Sequence, residues 1–177
     1  KIEEAELDDL QRAHLEKLLG QDYEVLTAPD RLDKVATDFV EHCASRWQAG
    51  KAMLVCIDKV TCARMLQMIL PRWQTKIAAI QAAAVAEAEP SVRDKLLAQA
   101  AWMATTIIEL IISEAQNEVA DFEKWGFDIK PHRIVMKLGF ELADGKRVAV
   151  EAAFKDAKHP FRVAVVCAMW LTGFDVE

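Results

Sequence analysis

A continuous apolar run near the end of the chain, Val163 to Ala168, is the feature that most restricts its fold. Strands buried on both faces of a parallel sheet contain such runs, whereas half-exposed strands alternate apolar and polar residues. The run leads directly into the loop Leu171–Asp175, which carries a hydroxyl, a glycine and a carboxylate. Because ligands of open α/β sheets bind at the carboxyl ends of strands, we expect this loop to belong to a site. The chain stops just beyond the loop, so we also expect it to be a piece of a larger protein.

Two further segments are predicted to be strands, and each leads directly into a helix. Lys51 to Ile57 is followed by Asp58, a good N-cap for a helix that would end near Pro71. Thr106 to Ile112 is followed by Ser113, which starts the capping-box pattern Ser-x-x-Gln. Strands separated by helices predict an α/β fold with a parallel sheet, whose strand ends would lie on one edge.

The rest of the chain is predicted to be mostly helical. Ala5 to Leu19 and Asp30 to Ala49 repeat apolar residues at helical spacing, with Asp30 as the N-cap of the second helix. Residues 74–105 are rich in alanine, Gln and Glu, which predicts a helical hairpin inserted at the edge of the domain. Lys130 to Phe161 is predicted to be irregular, with a turn at Asp144-Gly145.

The charges of the chain are unevenly distributed. The net charge is −6, which does not favour nucleic acid as a partner of the whole surface. Acidic residues crowd the segment from Glu3 to Glu24, whereas the stretch from Lys124 to Arg162 leans basic. A basic stretch of this kind can bind a phosphate backbone locally, and ordinary solvated charges explain it equally well.

The cysteines and the absence of long apolar segments indicate a cytoplasmic protein. None of the four cysteines forms a Cys-x-x-Cys pair, so core thiols in a reducing cytosol are expected rather than disulfides or zinc. No apolar stretch reaches the roughly 18 residues that a transmembrane helix needs. No signal peptide is recognisable either. We therefore expect no membrane partner.

The sequence carries none of the common self-sufficient catalytic motifs. Gly-x-x-x-x-Gly-Lys-[Ser/Thr], Gly-x-Gly-x-x-Gly and His-Glu-x-x-His are all absent, and the four histidines are scattered. Cys62 beside Arg64 is a weak nucleophile candidate and is more simply a helix cysteine packed against the core. No catalytic or metal-ligating residue is therefore assigned.

The predicted strand ends are the remaining candidates for a site. Asp58-Lys59, Ser113-Glu114 and Thr172-Gly173 would place small polar groups and helix-start amides at one edge of the sheet. Such groups suit contacts with phosphate. The alternative is that Asp58 and Ser113 serve only as helix caps. The apolar residues from Trp170 to Phe174 are costly to expose, which favours a functional loop there.

Four segments of the chain carry recognisable motifs. They are Gly50–Thr61, Ile112–Glu118, Trp125–Arg133 and Phe161–Val176. Together and in this order they resemble the R subunit, the motor and nuclease subunit of type I restriction enzymes. The run Ala-Met-Trp-Leu-Thr-Gly-Phe-Asp, which ends at Asp175, is the most specific of the motifs. The resemblance extends from about Tyr23 onward, and the alanine-rich segment matches only in being helical.

The resemblance implies a fold, an activity, a cofactor and partners. R subunits resemble superfamily 2 helicases, whose two RecA-like domains grip ATP with Mg²⁺ between them. They translocate double-stranded DNA and cut it, in a complex with methylation and specificity subunits. This chain looks like much of the second RecA-like domain, a partial parallel sheet flanked by helices with a helical insertion. The chain alone is expected to bind no cofactor, hydrolyse no ATP and cut no DNA.

The resemblance also implies roles for particular residues. Asp58-Lys59 would lie in motif IV and Thr172-Gly173 in motif V. Lys59, Ser113, Thr172 and Gly173 would then contact DNA, and Asp175 would face the ribose of ATP. One departure is that many superfamily 2 helicases have a Thr-Asp pair where this chain has Cys167-Ala168.

A domain layout follows from the resemblance, and two other interpretations remain open. Residues 1–49 would be helices leading into a RecA-like domain over residues 50–177, incomplete at its C-terminal end and carrying an insert at about residues 74–105. Alternatively, the chain is a non-catalytic docking module of a larger DNA-processing complex, in which the insert and the acidic N-terminal helix bind other subunits. A free-standing α/β enzyme acting on a small molecule has the least support, because no catalytic set is present.

Overall fold

The computed structural model describes residue 20 and residues 22–167. The predicted helix over Ala5–Leu19 lies outside the described residues, and so do Thr172, Gly173 and Asp175. The chain divides into two compact units, Lys1–Val35 and Ala36–Glu177. The domain boundary between residues 49 and 50 stays a prediction.

The secondary structure alternates between strands and helices. The described helices are α1 (Pro29–Ser45), α2 (Lys59–Ala86), α3 (Pro90–Thr105), α4 (Glu118–Glu123), α5 (Lys130–Leu138) and α6 (Val150–Lys155). The described strands are β1 (Ala52–Cys56), β2 (Ile107–Ile111), β3 (Phe140–Glu141), β4 (Arg147–Val148) and β5 (Phe161–Cys167). Residues 22–26 are also helical. Asp30 lies in the first turn of α1 rather than at its N-cap, so that prediction was wrong, although a carboxylate in a first turn still favours the helix dipole.

The three predicted strands form one parallel sheet in the order β1-β5-β2. The central strand is β5, and its residues Val163–Val166 have no exposed surface. A strand that is paired on both edges and covered on both faces can be apolar at every position, which explains the unbroken apolar run. Helices flank the sheet, with α2 in contact with all three strands. The predicted α/β class, with a parallel sheet between helices, is confirmed, and it is consistent with part of a RecA-like fold.

Helix α2 does not end at Pro71, as the sequence predicted, but continues beyond it to Ala86. A proline inside a helix costs about 3 kcal/mol. Beyond it, α2 buries Trp73, Ile77 and Ile80, and burial contributes about 1.5–3 kcal/mol for each large apolar side chain. The indole Nε1 of Trp73 also donates to Met103 O at 3.0 Å, which ties α2 to α3. Burial against α3 therefore outweighs the proline, and the first arm of the helical hairpin is continuous with the helix that follows β1.

The segment from Lys130 to Phe161 is ordered secondary structure, so the prediction of an irregular region was wrong. It contains α5, the antiparallel hairpin β3–β4 and α6. The Asp144-Gly145 turn is present, with Gly145 at φ 79° and its amide donating to Leu142 O at 2.9 Å. These elements are too short to show a periodic pattern in the sequence. They are stabilised instead by packing, since Phe140, Val150 and Phe154 join the apolar cluster around β5.

Gly139 should be the least replaceable glycine of this segment. Its φ is +74°, and a Cβ atom there would lie 2.0 Å from the carbonyl oxygen of Val148 on the neighbouring strand. Gly139→Ala therefore combines left-handed backbone strain with a clash against backbone, and we expect it to lower the free energy of unfolding by more than about 2 kcal/mol in urea denaturation.

Gly145→Ala is the matched control. Gly145 has a similar φ of +79°, but a Cβ atom there would meet nothing within 4 Å. It should cost only the conformational strain, about 1 kcal/mol. Equal losses for the two variants would show that the contact with Val148 is not what requires glycine at position 139.

Candidate functional site

The predicted strand ends meet at one edge of the sheet. Cys56 at the end of β1 is in register with Cys167 of β5, and Ile111 at the end of β2 is in register with Val166. Asp58 caps α2 as predicted, because its Oδ1 accepts a hydrogen bond from the amide of Thr61 at 2.6 Å. Lys59 is the first residue of that helix. We refer to this region as the strand-end edge.

The loop after β2 differs from the capping box that the sequence predicted. Helix α4 begins only at Glu118, after Asn117 in the left-handed conformation, and no side chain caps it. Ser113 is exposed in the extended segment that precedes α4, so the prediction that it caps a helix was wrong. Instead, Glu118 Oε2 accepts from the amide of Ala115 at 3.1 Å, which holds the loop before α4. The hydroxyl of Ser113 is therefore not committed to capping.

An ion pair between Arg133 of α5 and Glu118 holds this loop in place. Arg133 Nε and Nη2 donate to the two carboxylate oxygens of Glu118, both at 2.7 Å. The same guanidinium donates to Ile112 O at 3.0 Å and to Ser113 O at 3.4 Å. The side chains of Arg133 and Glu118 are only 13% and 9% exposed, and a two-pronged pair of this kind fixes geometry as well as charge. One arginine thus positions the backbone just beyond β2.

The electrostatics of Glu118 reflect these contacts. Burial by itself would raise the pKa of Glu118, but the hydrogen bonds from Arg133 and from the Ala115 amide outweigh burial and lower it. The charge of Lys59 contributes to the same lowering of the pKa. The charge at the end of β1 therefore affects the ionisation of a carboxylate in the loop after β2.

Two cavities open along the loop after β2. Their volumes are about 520 and 480 Å³. Both are lined by Glu114, Arg133 and Lys137, and the second also by Ser113. Lys137 Nζ pairs with Glu114 at 2.6 Å, and both side chains are more than half exposed. An exposed pair of this kind contributes less than about 1 kcal/mol, so Lys137 can exchange Glu114 for another anion.

This edge offers two lysines and a hydroxyl as groups that can bind a ligand. Lys59, Lys137 and the Ser113 hydroxyl supply a cationic and hydrogen-bonding surface suited to phosphate. Among the residues that the structure describes, no group of three or more His, Cys, Asp or Glu side chains could hold a metal ion. The Arg133 guanidinium is engaged with Glu118 and backbone carbonyls and acts as a support.

Two thiols at this edge, Cys62 and Cys167, have surroundings that raise the thiol pKa. A hydrogen bond with Cys56, together with burial, raises the pKa of Cys62, and burial raises the pKa of Cys167. A raised pKa keeps the thiol protonated and unreactive. Cys62 has no exposed surface, which agrees with the interpretation of a core cysteine in α2.

Sequence reasoning missed a second carboxylate contact. Glu109 is buried in the middle of β2, and its Oε1 pairs with Nδ1 of His132 on α5 and accepts from the amide of Leu110. Phe127 stacks on the His132 ring with centroids 5.0 Å apart. A single Glu inside an otherwise apolar strand was the available signal, because a buried carboxylate requires a partner. The pair anchors α5, and with it Arg133, onto the sheet.

The chain is similar to a curated restriction-enzyme subunit. The chain is 24% identical over 165 residues to the type I restriction enzyme HindI endonuclease subunit of Haemophilus influenzae. The match covers 90% of this chain and 11% of that protein. No family model and no solved structure matches the chain. Within residues 22–167, no helix has the length and hydrophobicity needed to cross a membrane.

Removing the charge of Glu118 should destabilise the loop after β2. Glu118→Gln leaves the buried Arg133 guanidinium without its counter-charge, and breaking a buried pair costs roughly 3 kcal/mol. We expect that loss in the free energy of urea unfolding at pH 7. Glu114→Gln, which removes the exposed pair with Lys137, is the control and should cost less than about 1 kcal/mol.

The same variant should show a defined pH dependence. Because the folded state lowers the pKa of Glu118 below its ordinary 4.5, the stabilisation is complete above that value and is lost as pH falls through the lowered pKa. The difference between the wild type and Glu118→Gln should therefore shrink below pH 4.5. A difference that stays constant down to about pH 3 would mean that Glu118 acts through packing alone.

Proposed function

We propose that this chain is part of the DNA-translocating endonuclease subunit of a type I restriction enzyme, and that its strand-end edge binds the phosphates of a DNA strand. The similarity to the HindI endonuclease subunit supports the family. The chain spans 11% of that protein's length, so the translocation and cleavage of double-stranded DNA belong to the proposal for the parent protein. So does assembly with methylation and specificity subunits.

One observation carries the proposed DNA contact. Lys59 at the start of α2 and Ser113 after β2 come from separate strand ends, yet they belong to the same edge of the sheet, because β1 and β2 both run parallel to β5. Sequence neighbours of both residues resemble motifs of the R subunit. Backbone amides at a helix start, a lysine and a hydroxyl are the groups that bind phosphate oxygens. A sheet edge of this kind supports strand binding without any catalytic group of its own.

In this proposal, ATP is bound by the intact parent protein and not by this chain alone. No phosphate-loop motif occurs in the sequence, and the described residues offer no cluster of acidic ligands for a metal ion. ATP and Mg²⁺ would therefore be held mainly by other parts of the parent. Asp175, which would face the ribose, lies outside the described residues. The contribution of this chain is to hold the DNA strand at Lys59, Ser113, Thr172 and Gly173.

The DNA contact is tested by Lys59→Ala and Thr172→Ala in the intact subunit. We expect Lys59→Ala to weaken DNA binding evenly across sequences and to reduce the slope of log affinity against log salt by about 1. Thr172→Ala should impair translocation while complex assembly is retained. Lys95→Ala is the matched control, since Lys95 is an exposed lysine on α3 away from the strand ends.

Two results would contradict this assignment. DNA-stimulated ATP hydrolysis at the wild-type rate in Thr172→Ala would remove the motif V role of that loop. An unchanged salt slope in Lys59→Ala, or an equal change in Lys95→Ala, would mean that Lys59 contributes only general charge.

A docking function for the α2–α3 hairpin is the second candidate. Val85 is 86% exposed near the end of α2, and Val92 and Leu97 of α3 are 41% and 48% exposed. Exposed apolar side chains on one hairpin can form a surface that binds other proteins. Deleting the hairpin is a poor test, because Ile77 and Ile80 are buried in it.

Surface substitutions separate the two functions more cleanly. We expect the double variant Val85→Ser and Leu97→Ser to reduce co-purification with the methylation and specificity subunits, while DNA-stimulated ATP hydrolysis by the isolated subunit is retained. Lys95→Ser changes a polar neighbour on the same helix and should leave assembly intact. Wild-type assembly of the double variant would exclude docking through this face.

A further inference from the structure

A polar cavity lies at the opposite end of the sheet from the strand-end edge. Its volume is about 390 Å³, and it opens at the beginnings of β1 and β5. Three cationic side chains, Lys51, Lys155 and Arg162, line it together with the indole of Trp102. The other described lining residues are small, and none of them carries a carboxylate. Cationic side chains without an acidic residue among them form a cavity suited to an anion.

Arg162 is the best-positioned donor in this cavity. Its Nη1 donates to Trp102 O, Thr105 Oγ1 and Thr106 Oγ1 at 3.0–3.1 Å. Its guanidinium carbon lies 5.1 Å from the centroid of the Trp102 ring, an arrangement that orients the planar group. The residues that the structure describes supply no acceptor for Nε and Nη2 of Arg162. Arg162 is thus held from one side while two of its nitrogen atoms keep donor capacity.

Lys51 contributes charge rather than hydrogen bonds. Its Nζ donates to the carbonyl oxygens of Ala153, His159 and Phe161 at 2.7–3.1 Å, which uses its three donors. Burial, and then the charge of Arg162, lower the pKa of Lys51, against a raising effect from Asp156. Burial and the charge of Lys51 likewise lower the pKa of His159. Burial is the largest cause of both shifts, and the carboxylate of Asp156 acts against them.

Lys155 is the cation of the cavity whose side chain can most easily change its contacts. Its Nζ pairs with Glu151 one helical turn away at 2.9 Å, and both side chains are exposed. Exposed pairs of this spacing are weak, so an anion can compete with Glu151 for Lys155. The neighbouring carboxylate of Asp156 accepts from the backbone amide of Lys158 at 2.9 Å.

We propose that this cavity is a phosphate-binding site, with Arg162 and Lys155 as donors to the phosphate oxygens and Lys51 as a fixed charge behind them. Planar guanidinium groups match phosphate oxygens in pairs, and charge-assisted hydrogen bonds of this kind are the strong ones. The phosphate group belongs either to a small molecule or to a nucleic-acid backbone. The site is separate from the strand-end edge, so it does not depend on the proposed DNA contact there.

The test is isothermal titration calorimetry of the full chain with two probes, pyrophosphate and a single-stranded oligonucleotide. For the probe that binds, we expect Lys155→Gln to weaken affinity by about 10-fold to 100-fold, the loss of one charge-assisted hydrogen bond. Arg162→Lys should weaken it at least as much, because a lysine loses the paired geometry. Lys155 is exposed, so its variant keeps the experiment valid if Arg162→Lys fails to fold.

Two control variants test whether a loss of affinity is specific to the cavity. Lys158→Gln removes an exposed lysine beside the cavity that does not line it, and Lys95→Gln removes an exposed lysine on α3 that does not line it either. Neither should change the affinity for pyrophosphate. A Lys155-dependent signal from pyrophosphate identifies a small phosphate as the ligand, and one from the oligonucleotide alone identifies a nucleic-acid strand.

Three outcomes would overturn the proposal. They are no binding of either probe, binding unaffected by Lys155→Gln, and an equal loss in Lys158→Gln. The last of these would show general attraction to positive charge instead of a site.

Discussion

The pairing of β5 with both of its neighbours is the constraint on which the rest of the structure depends. β1 and β2 do not pair with each other, and each is held in the sheet by its ladder to β5. Phe161 at the start of β5 packs on Phe140 and Phe154, which joins the hairpin β3–β4 and α6 to the same strand. The strand-end edge and the cationic cavity lie at the two ends of this one sheet. Their positions are therefore set by the same set of backbone hydrogen bonds.

Around that sheet, the side chains that we propose to bind DNA depend on buried or capping residues for their positions. Glu109 and His132 fix α5 on β2, α5 carries Arg133, and Arg133 fixes the loop that presents Ser113. Asp58 has the corresponding role for Lys59 at the start of α2. In each case a buried or capping carboxylate organises the backbone, next to the lysine or hydroxyl that we propose as a phosphate ligand. This division explains how one edge can be rigid and still offer adaptable polar groups.

The sequence predicted what depends on long apolar patterns and missed what depends on packing between distant segments. Three strands, their parallel arrangement and the Asp58 cap follow from apolar runs and local capping chemistry. Helix α2 continues past Pro71 because Trp73 is buried against α3. The residues around Pro71 carry no sequence pattern that predicts this contact. The predicted Ser113 capping box does not form. The loop is held instead by Glu118, whose partner Arg133 is distant in sequence. Of the predicted site residues, Lys59 and Ser113 are placed at one edge, and Thr172, Gly173 and Asp175 lie outside the described residues.

The position of the central strand has a consequence for synthesis of the protein. β5 is the last described strand in the chain, yet it is the middle strand of the sheet. As the chain emerges from the ribosome, β1 and β2 are therefore exposed before the strand that pairs with both of them exists. Ala52 can pair only after Val163 has been synthesised. Pairing between such distant residues is slow to form, and the unpaired strands are prone to associate with other chains in the meantime. The helices α2 and α3 between β1 and β2 contact each other locally, so α3 can pack on α2 early and cover it during that interval.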